Sequence, residues 1–147
     1  LGRRVRSLVD ARERIQEVLV DLTFRDFGLD APSWRRWWLA VKDGARDDWA
    51  LDALLSSDEE ARRRGLERFS GRRERDPRVL SACLSLVREA EPPLRGEAYA
   101  LLVGCADRDF GFDPSASAGF QPDAIAAIER WVREASQAGG VLIPVER

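Results

Sequence analysis

The sequence predicts an all-α fold, and three observations predict it. Apolar residues recur at i, i+3 and i+4 through one segment after another, the spacing that lines one face of a helix. No pair of alternating apolar and polar runs joined by a tight turn asks for a strand hairpin. Third, one phrase is used twice. Thr23-Phe24-Arg25-Asp26-Phe27-Gly28-Leu29-Asp30 returns as Ala106-Asp107-Arg108-Asp109-Phe110-Gly111-Phe112-Asp113, each copy closing an apolar-periodic segment and preceding a tryptophan-bearing helix. Repetition of a helix-to-helix corner points to a helical-repeat protein rather than to a single active site. The 147 residues, 44% of them hydrophobic, suffice for one domain over 1–147 with its own core. The start at Leu1 leaves open a removed leader or a fragment boundary.

The first helix follows Val5, Leu8, Val9, Ile15, Val18, Leu19 and Leu22, about five turns whose apolar stripe is expected to be buried. Pro32 and Ser33 open a second helix through Trp34, Trp37, Trp38 and Val41, and Gly44 suits its end. Trp49, Leu51, Leu54 and Leu55 make a short third helix over 47–56. Asp58 is the N-cap of a fourth over 58–70, with Glu59 and Glu60 in the first turn and Ala61, Leu66 and Phe69 facing inward. Asp76-Pro77 starts a fifth over 77–90, a capping residue followed by proline at the first helical position, and Pro92-Pro93 breaks it. Leu94, Ala98, Leu101, Leu102 and Cys105 form the stripe of a sixth, 93–105. Pro122 or Asp123 opens the last, 123–137, which runs through Ile125, Ile128, Trp131, Val132 and Ala135 toward Gly139-Gly140.

Paired, helices 47–56 with 58–70 and 77–90 with 93–105 are consecutive hairpins of about 30 residues, the unit from which α-solenoids are built. With Asp76-Pro77-Arg78-Val79 at the hand-over between them, the chain resembles a HEAT-repeat protein, whose units commonly start their first helix with Asp-Pro and then Arg-Val or a similar pair. More narrowly it is similar to HEAT-like proteins of high-GC bacteria in which a unit ends in Asp-Phe-Gly-x-Asp-Pro and leads into a Trp-x-x-Trp-Trp helix. Here those are Asp26-Phe27-Gly28-Leu29-Asp30 and Trp34-Arg35-Arg36-Trp37-Trp38. The second copy keeps the corner, Asp109 to Pro114, but reaches only Trp131, beyond the insert Ser115 to Gln121. The resemblance implies a HEAT-like α-solenoid of about seven helices in stacked antiparallel hairpins. It also implies a scaffold that binds partner proteins and shares no catalytic residues.

In the corners, Gly28 and Gly111 supply a positive φ, Asp26, Asp30, Asp109 and Asp113 accept turn amides, and Phe27 and Phe110 are expected to tuck under the helix ends. Two other readings of the phrase fail. As a calcium loop, Asp107, Asp109 and Asp113 lack glycine at the sixth place (Phe112) and an acid at the twelfth (Ala118). As a kinase Asp-Phe-Gly segment, it has no His-Arg-Asp loop and no glycine-rich phosphate loop beside it. With no histidine and two cysteines, zinc has no ligand set. Cys83 and Cys105 read as small core residues, a disulfide between them being the alternative. The missing histidine also removes the usual general base and the Ser-His-Asp and Cys-His arrangements, and no motif singles out a carboxylate pair. The expectation is no catalysis, no cofactor and no metal.

Three surface features remain. Over residues 61–78, Arg62, Arg63, Arg64, Arg68, Arg72, Arg73, Arg75 and Arg78 stand against Glu67, Glu74 and Asp76. Arginines dispersed with acids beside them would be a solvated face. Gathered on one concave face they would make a docking patch for an acidic partner protein or a nucleic-acid backbone, and Arg63, Arg64 and Arg68 are the candidates. The net charge of −2 gives no global reason to expect nucleic acid, and no run of about 18 apolar residues predicts a membrane span. Trp34, Trp38 and Val41 share a stripe, so Trp37 is placed on a flank where, beside Arg35 and Arg36, it would be an interface anchor. The apolar tail Val141-Leu142-Ile143-Pro144-Val145, after the Gly-Gly hinge, is the third candidate, contacting another protein or the remainder of a larger assembly.

Overall fold

The computed structural model describes residues 2–139, with side chains over 8–138; the tail candidates Val141, Leu142 and Ile143 lie outside the described residues. Among the described residues there are seven α-helices, a single 3-10 turn and no strand. They are α1 (Gly2–Thr23), α2 (Ala31–Val41), α3 (Arg46–Leu54), α4 (Glu59–Phe69), α5 (Pro77–Glu89), α6 (Pro92–Ala106) and α7 (Pro122–Gly139). The boundaries follow local chemistry. Asp30 caps α2, accepting from the Ser33 amide and hydroxyl. Asp58 takes the Glu60 amide at the head of α4, and Asp76 takes the Arg78 amide at the head of α5. The turn Ala118–Phe120, inside the insert, has no counterpart in the periodicity.

The chain divides between Arg68 and Phe69 into two compact units. In the first, α1 packs against α3. Ala50, Leu51, Ala53, Leu54, Ala61 and Leu66 are buried. Gly65 lets α4 approach α3 closely, since a Cβ there would sit 2.5 Å from the Ala50 carbonyl and 2.8 Å from the Leu54 nitrogen. Beside this core runs a chain of aromatic rings, Phe27, Trp34, Trp37, Trp49 and Trp38, with successive centroids 5.0, 6.2, 6.0 and 5.8 Å apart. Three of the indole N–H groups donate: Trp34 to the Gly28 carbonyl, Trp37 to Asp52 and Trp49 to the Val41 carbonyl.

In the second unit α5 packs against both α6 and α7. Val79, Leu80, Cys83, Val87, Leu94, Ala98, Leu102 and Ile128 are its most buried side chains, and Arg88 pairs with Glu129 between α5 and α7. Cys83 and Cys105 are buried free thiols; burial pushes Cys83 up to about 12, with Cys105 and Glu74 adding to it.

The apolar stripe expected to bury α1 is largely exposed. Leu8, Ile15, Val18 and Leu22 are 65, 59, 65 and 46% exposed, while Leu19 and Val20 are half-buried. The inward face of α1 is therefore the one carrying Gln16, Leu19, Val20 and Thr23, and the larger stripe has no helix over it within this unit.

Candidate interaction site

The two copies of the repeated phrase are built alike, atom for atom in several places. Each begins with a residue in the left-handed region, Phe24 at φ 65° and Asp107 at φ 55°, and each has its glycine there too, Gly28 at 55° and Gly111 at 71°. In each, the first aspartate turns back to accept the amide two residues on: Asp26 from Gly28 at 2.8 Å, Asp109 from Gly111 at 2.7 Å. An arginine guanidinium lies over the phenylalanine ring, Arg25 on Phe27 at 5.3 Å and Arg108 on Phe110 at 4.9 Å. The same ring meets a tryptophan of the following helix, Trp34 at 5.0 Å and Trp131 at 5.8 Å. The second aspartate then organises the exit, Asp30 through Ser33 and Asp113 through Ser115.

A further match had no sequence signal. Ten residues before each corner aspartate, a side chain of the preceding helix donates to it: Gln16 to Asp26 at 2.9 Å, Tyr99 to Asp109 at 2.5 Å. Because Gln and Tyr differ, comparing the copies by residue identity does not reveal the pair. Tyr99 does more than Gln16, since its hydroxyl also accepts the Phe110 and Phe112 amides at 3.1 and 3.3 Å. Its ring packs on Phe112 at 5.2 Å.

Both corner phenylalanines are half-buried rather than tucked under the helix ends as expected. The buried aromatics are instead Phe24 and Phe112, at 7 and 5% exposed. The positive φ at Phe24 turns its ring inward, while Phe27 stays at the margin where Arg25 covers it.

Trp37, placed on a flank by periodicity, is buried, and its indole is held by Asp52 at 3.0 Å. Trp38 is the exposed tryptophan of α2, at 46%, and Arg35 and Arg36 are exposed on the same helix. Trp49 of α3 packs on both Trp37 and Trp38, at 6.0 and 5.8 Å, so it is the Asp52 carboxylate that marks out Trp37.

The arginine run is interrupted by the division between the units and is met by acids on each side of it. Arg63 pairs with Glu59 and Glu60, and Arg68 with Asp47 at 2.8 Å. Arg62 donates to the Ser56 carbonyl. In the second unit Arg78 folds onto Asp76, and Arg73 comes within 4.0 Å of Asp107. Arg64 is set apart, with Nη1 buried and lacking a hydrogen-bond partner. It borders a hollow of about 520 Å³ whose other charges, Glu13, Glu17, Asp21 and Asp26, are all negative. Among the described residues no three His, Cys, Asp or Glu side chains gather as a metal ion would need, and no helix is long and apolar enough to cross a membrane.

An exposed apolar stripe lies on α1. Leu8, Ala11, Ile15, Val18 and Leu22 are all exposed, and beside them a groove of about 300 Å³ runs between α1 and the corner, lined by Ile15, Leu19, Leu29 and Trp34 among others. Carrying the match of Gln16 with Tyr99 along the helices sets Ala11, Ile15, Val18 and Leu22 against Leu94, Ala98, Leu101 and Cys105 of α6. Those four are 1, 0, 6 and 7% exposed. In the second copy the stripe is interior to a unit in which α5 packs on α6. In the first it faces outward, and so does Leu29, whose counterpart is the buried Phe112.

No protein-family model, characterised protein or solved structure matches this chain.

Proposed function

We propose that the chain is a non-catalytic helical-repeat scaffold or adaptor that binds another protein, its α3/α4 and α5/α6 hairpins stacking as in a HEAT-like solenoid. The observation that carries the reading is the α1 stripe, where four exposed apolar residues stand at the places that are interior in the second copy. Exposed apolar residues aligned along one helix face are suited to contact with another protein. The corners support the scaffold part, because their carboxylates are spent on turn amides, capping and ring packing. The absence of histidine and the buried thiols support a role without chemistry.

The experiment is affinity capture from the native host with wild type and with Ile15→Asp/Val18→Asp, followed by mass spectrometry. Partners held by wild type and lost from the variant are expected; identical capture by both would overturn the reading. The alternative, nucleic acid held by the 62–78 arginines, is disfavoured by the carboxylates that pair with Arg63, Arg68, Arg73 and Arg78. No tight binding to duplex DNA is expected at physiological salt, whereas a submicromolar, salt-steep affinity abolished by charge reversal at Arg63, Arg64 and Arg68 would reverse the ranking.

A further inference from the structure

We propose that the α1 stripe is a self-association surface, on which α1 of a second copy of this chain lies antiparallel across a two-fold axis. This rests on the reading of that stripe as an interaction site and names its occupant.

The spacing is the first argument. Leu8, Ala11, Ile15, Val18 and Leu22 follow alternating steps of three and four, a spacing by which one helix can meet another along its length. The residues on the two flanks of the seam are Arg14 and Asp21 on one side and Arg12 and Leu19 on the other.

Charge then selects the arrangement. With Ile15 opposite Val18 of the second copy and Ala11 opposite its Leu22, Arg14 lies beside Asp21 of the second copy. The two-fold makes the same pair again on the other side of the axis. The smallest seam residue then faces a large one, and Arg12 flanks Leu19. Sliding the helices so that Leu8 meets Val18 instead sets Arg14 against Arg14 and Arg12 against Arg12, a like-charge arrangement. A parallel pairing puts Arg14 beside Leu19 and matches no charge. Of these three arrangements only the first satisfies both seam and flank, and an isologous contact of this kind closes on itself without forming filaments.

Because Arg14, Ile15, Val18 and Asp21 are exposed, the variants are expected to fold, and circular dichroism checks that they do. Sedimentation equilibrium of wild type should show a monomer–dimer equilibrium with a dissociation constant on the order of 10 μM, as suits a single helix pair per side. Ile15→Asp should be monomeric. Arg14→Asp and Asp21→Arg should each weaken the dimer by about tenfold or more, each placing like charges together twice. The exchanged double variant Arg14→Asp/Asp21→Arg should return to within a few-fold of wild type.

A wild type monomeric up to about 100 μM overturns the proposal. If its captured partners are still lost with Ile15→Asp/Val18→Asp, the scaffold reading survives and the occupant is a helix of another protein. A dimer that persists in Ile15→Asp places the contact elsewhere and overturns it as well. Failure of the double variant to recover overturns the antiparallel register.

Discussion

The Tyr99 hydroxyl donates to Asp109 and accepts two backbone amides, three bonds at the edge of a ring that is 7% exposed. Tyr99→Phe leaves both amides and a carboxylate oxygen short of a partner, and should cost on the order of 2 kcal/mol in denaturant unfolding. The same bond is the largest reason why the Asp109 carboxyl titrates below its ordinary 3.8, with the Gly111 amide next. A depressed carboxyl stabilises the fold above its unfolded value and ceases to do so as pH falls through the folded one. Asp76, through Arg78, and Asp113, through Ser115, are lowered in the same sense. The melting temperature should therefore fall as pH drops below about 4, and fall less steeply in Asp109→Asn. At this scale the sequence was legible where a contact is local. Asp26 and Asp109 bond amides two residues away, which the Asp-x-Gly order announces. Gln16 and Tyr99 reach back across a turn of the chain, and nothing in their neighbours announces that. Nor could spacing alone choose among Trp34, Trp37 and Trp38, since the indole of Trp37 is held by Asp52 on another helix.

Helix boundaries were the most legible feature, because Asp30, Asp58 and Asp76 are capping residues whose bonds lie within three positions of themselves. Packing partners were not, as α1 shows: its periodicity is genuine, but periodicity states that a face wants cover and not that a neighbour provides it. The α3/α4 crossing gives a test in which helix propensity and packing oppose each other. Gly65→Ala raises propensity by about 1 kcal/mol, yet its Cβ would meet main-chain atoms of Ala50 and Leu54 that cannot step aside. Packing should win, with a net destabilisation of about 2 kcal/mol. The tryptophan-rich first unit makes this easy to follow by fluorescence during urea unfolding. Phe110→Ala removes a half-buried ring held between Arg108 and Trp131, and should cost about 2 kcal/mol, short of a full aromatic core deletion.

Across the whole molecule the two copies serve as experiments on one another. Where they differ, one shows what the other lacks. Gln16 stands where Tyr99 stands but makes only the carboxylate bond, so Gln16→Tyr would bring a hydroxyl toward the Phe27 and Leu29 amides as Tyr99 does for Phe110 and Phe112. That exchange should stabilise the first corner by about 1 kcal/mol, read as a raised urea midpoint at unchanged slope. The thiols give a second molecule-wide check. Both are buried with raised pKa, so neither should react with a disulfide reagent at about pH 8 until the chain unfolds, and both should react then. The repeat itself was legible because five of eight consecutive positions, Arg-Asp-Phe-Gly and the closing Asp, are the same in both copies. The reach of the match into α1 and α6 was not, since backbone geometry and bonding preserve it while residue identity does not.

The insert between the second corner and α7 is closed at its base by a single side chain. Gln121 accepts the Asp113 amide at 2.6 Å and donates to the Asp113 carbonyl at 2.8 Å, imitating a rung of sheet, while Arg95 holds the Pro114 and Ala116 carbonyls from below. With its two ends fastened to each other, the stretch above this clasp closes on itself, and its 3-10 turn Ala118–Phe120 lies against α5 and α7. Phe120, 87% exposed, lies in that stretch. The clasp thus fixes where α7 begins, and the turn above it is a wedge set against α5 and α7 rather than idle slack.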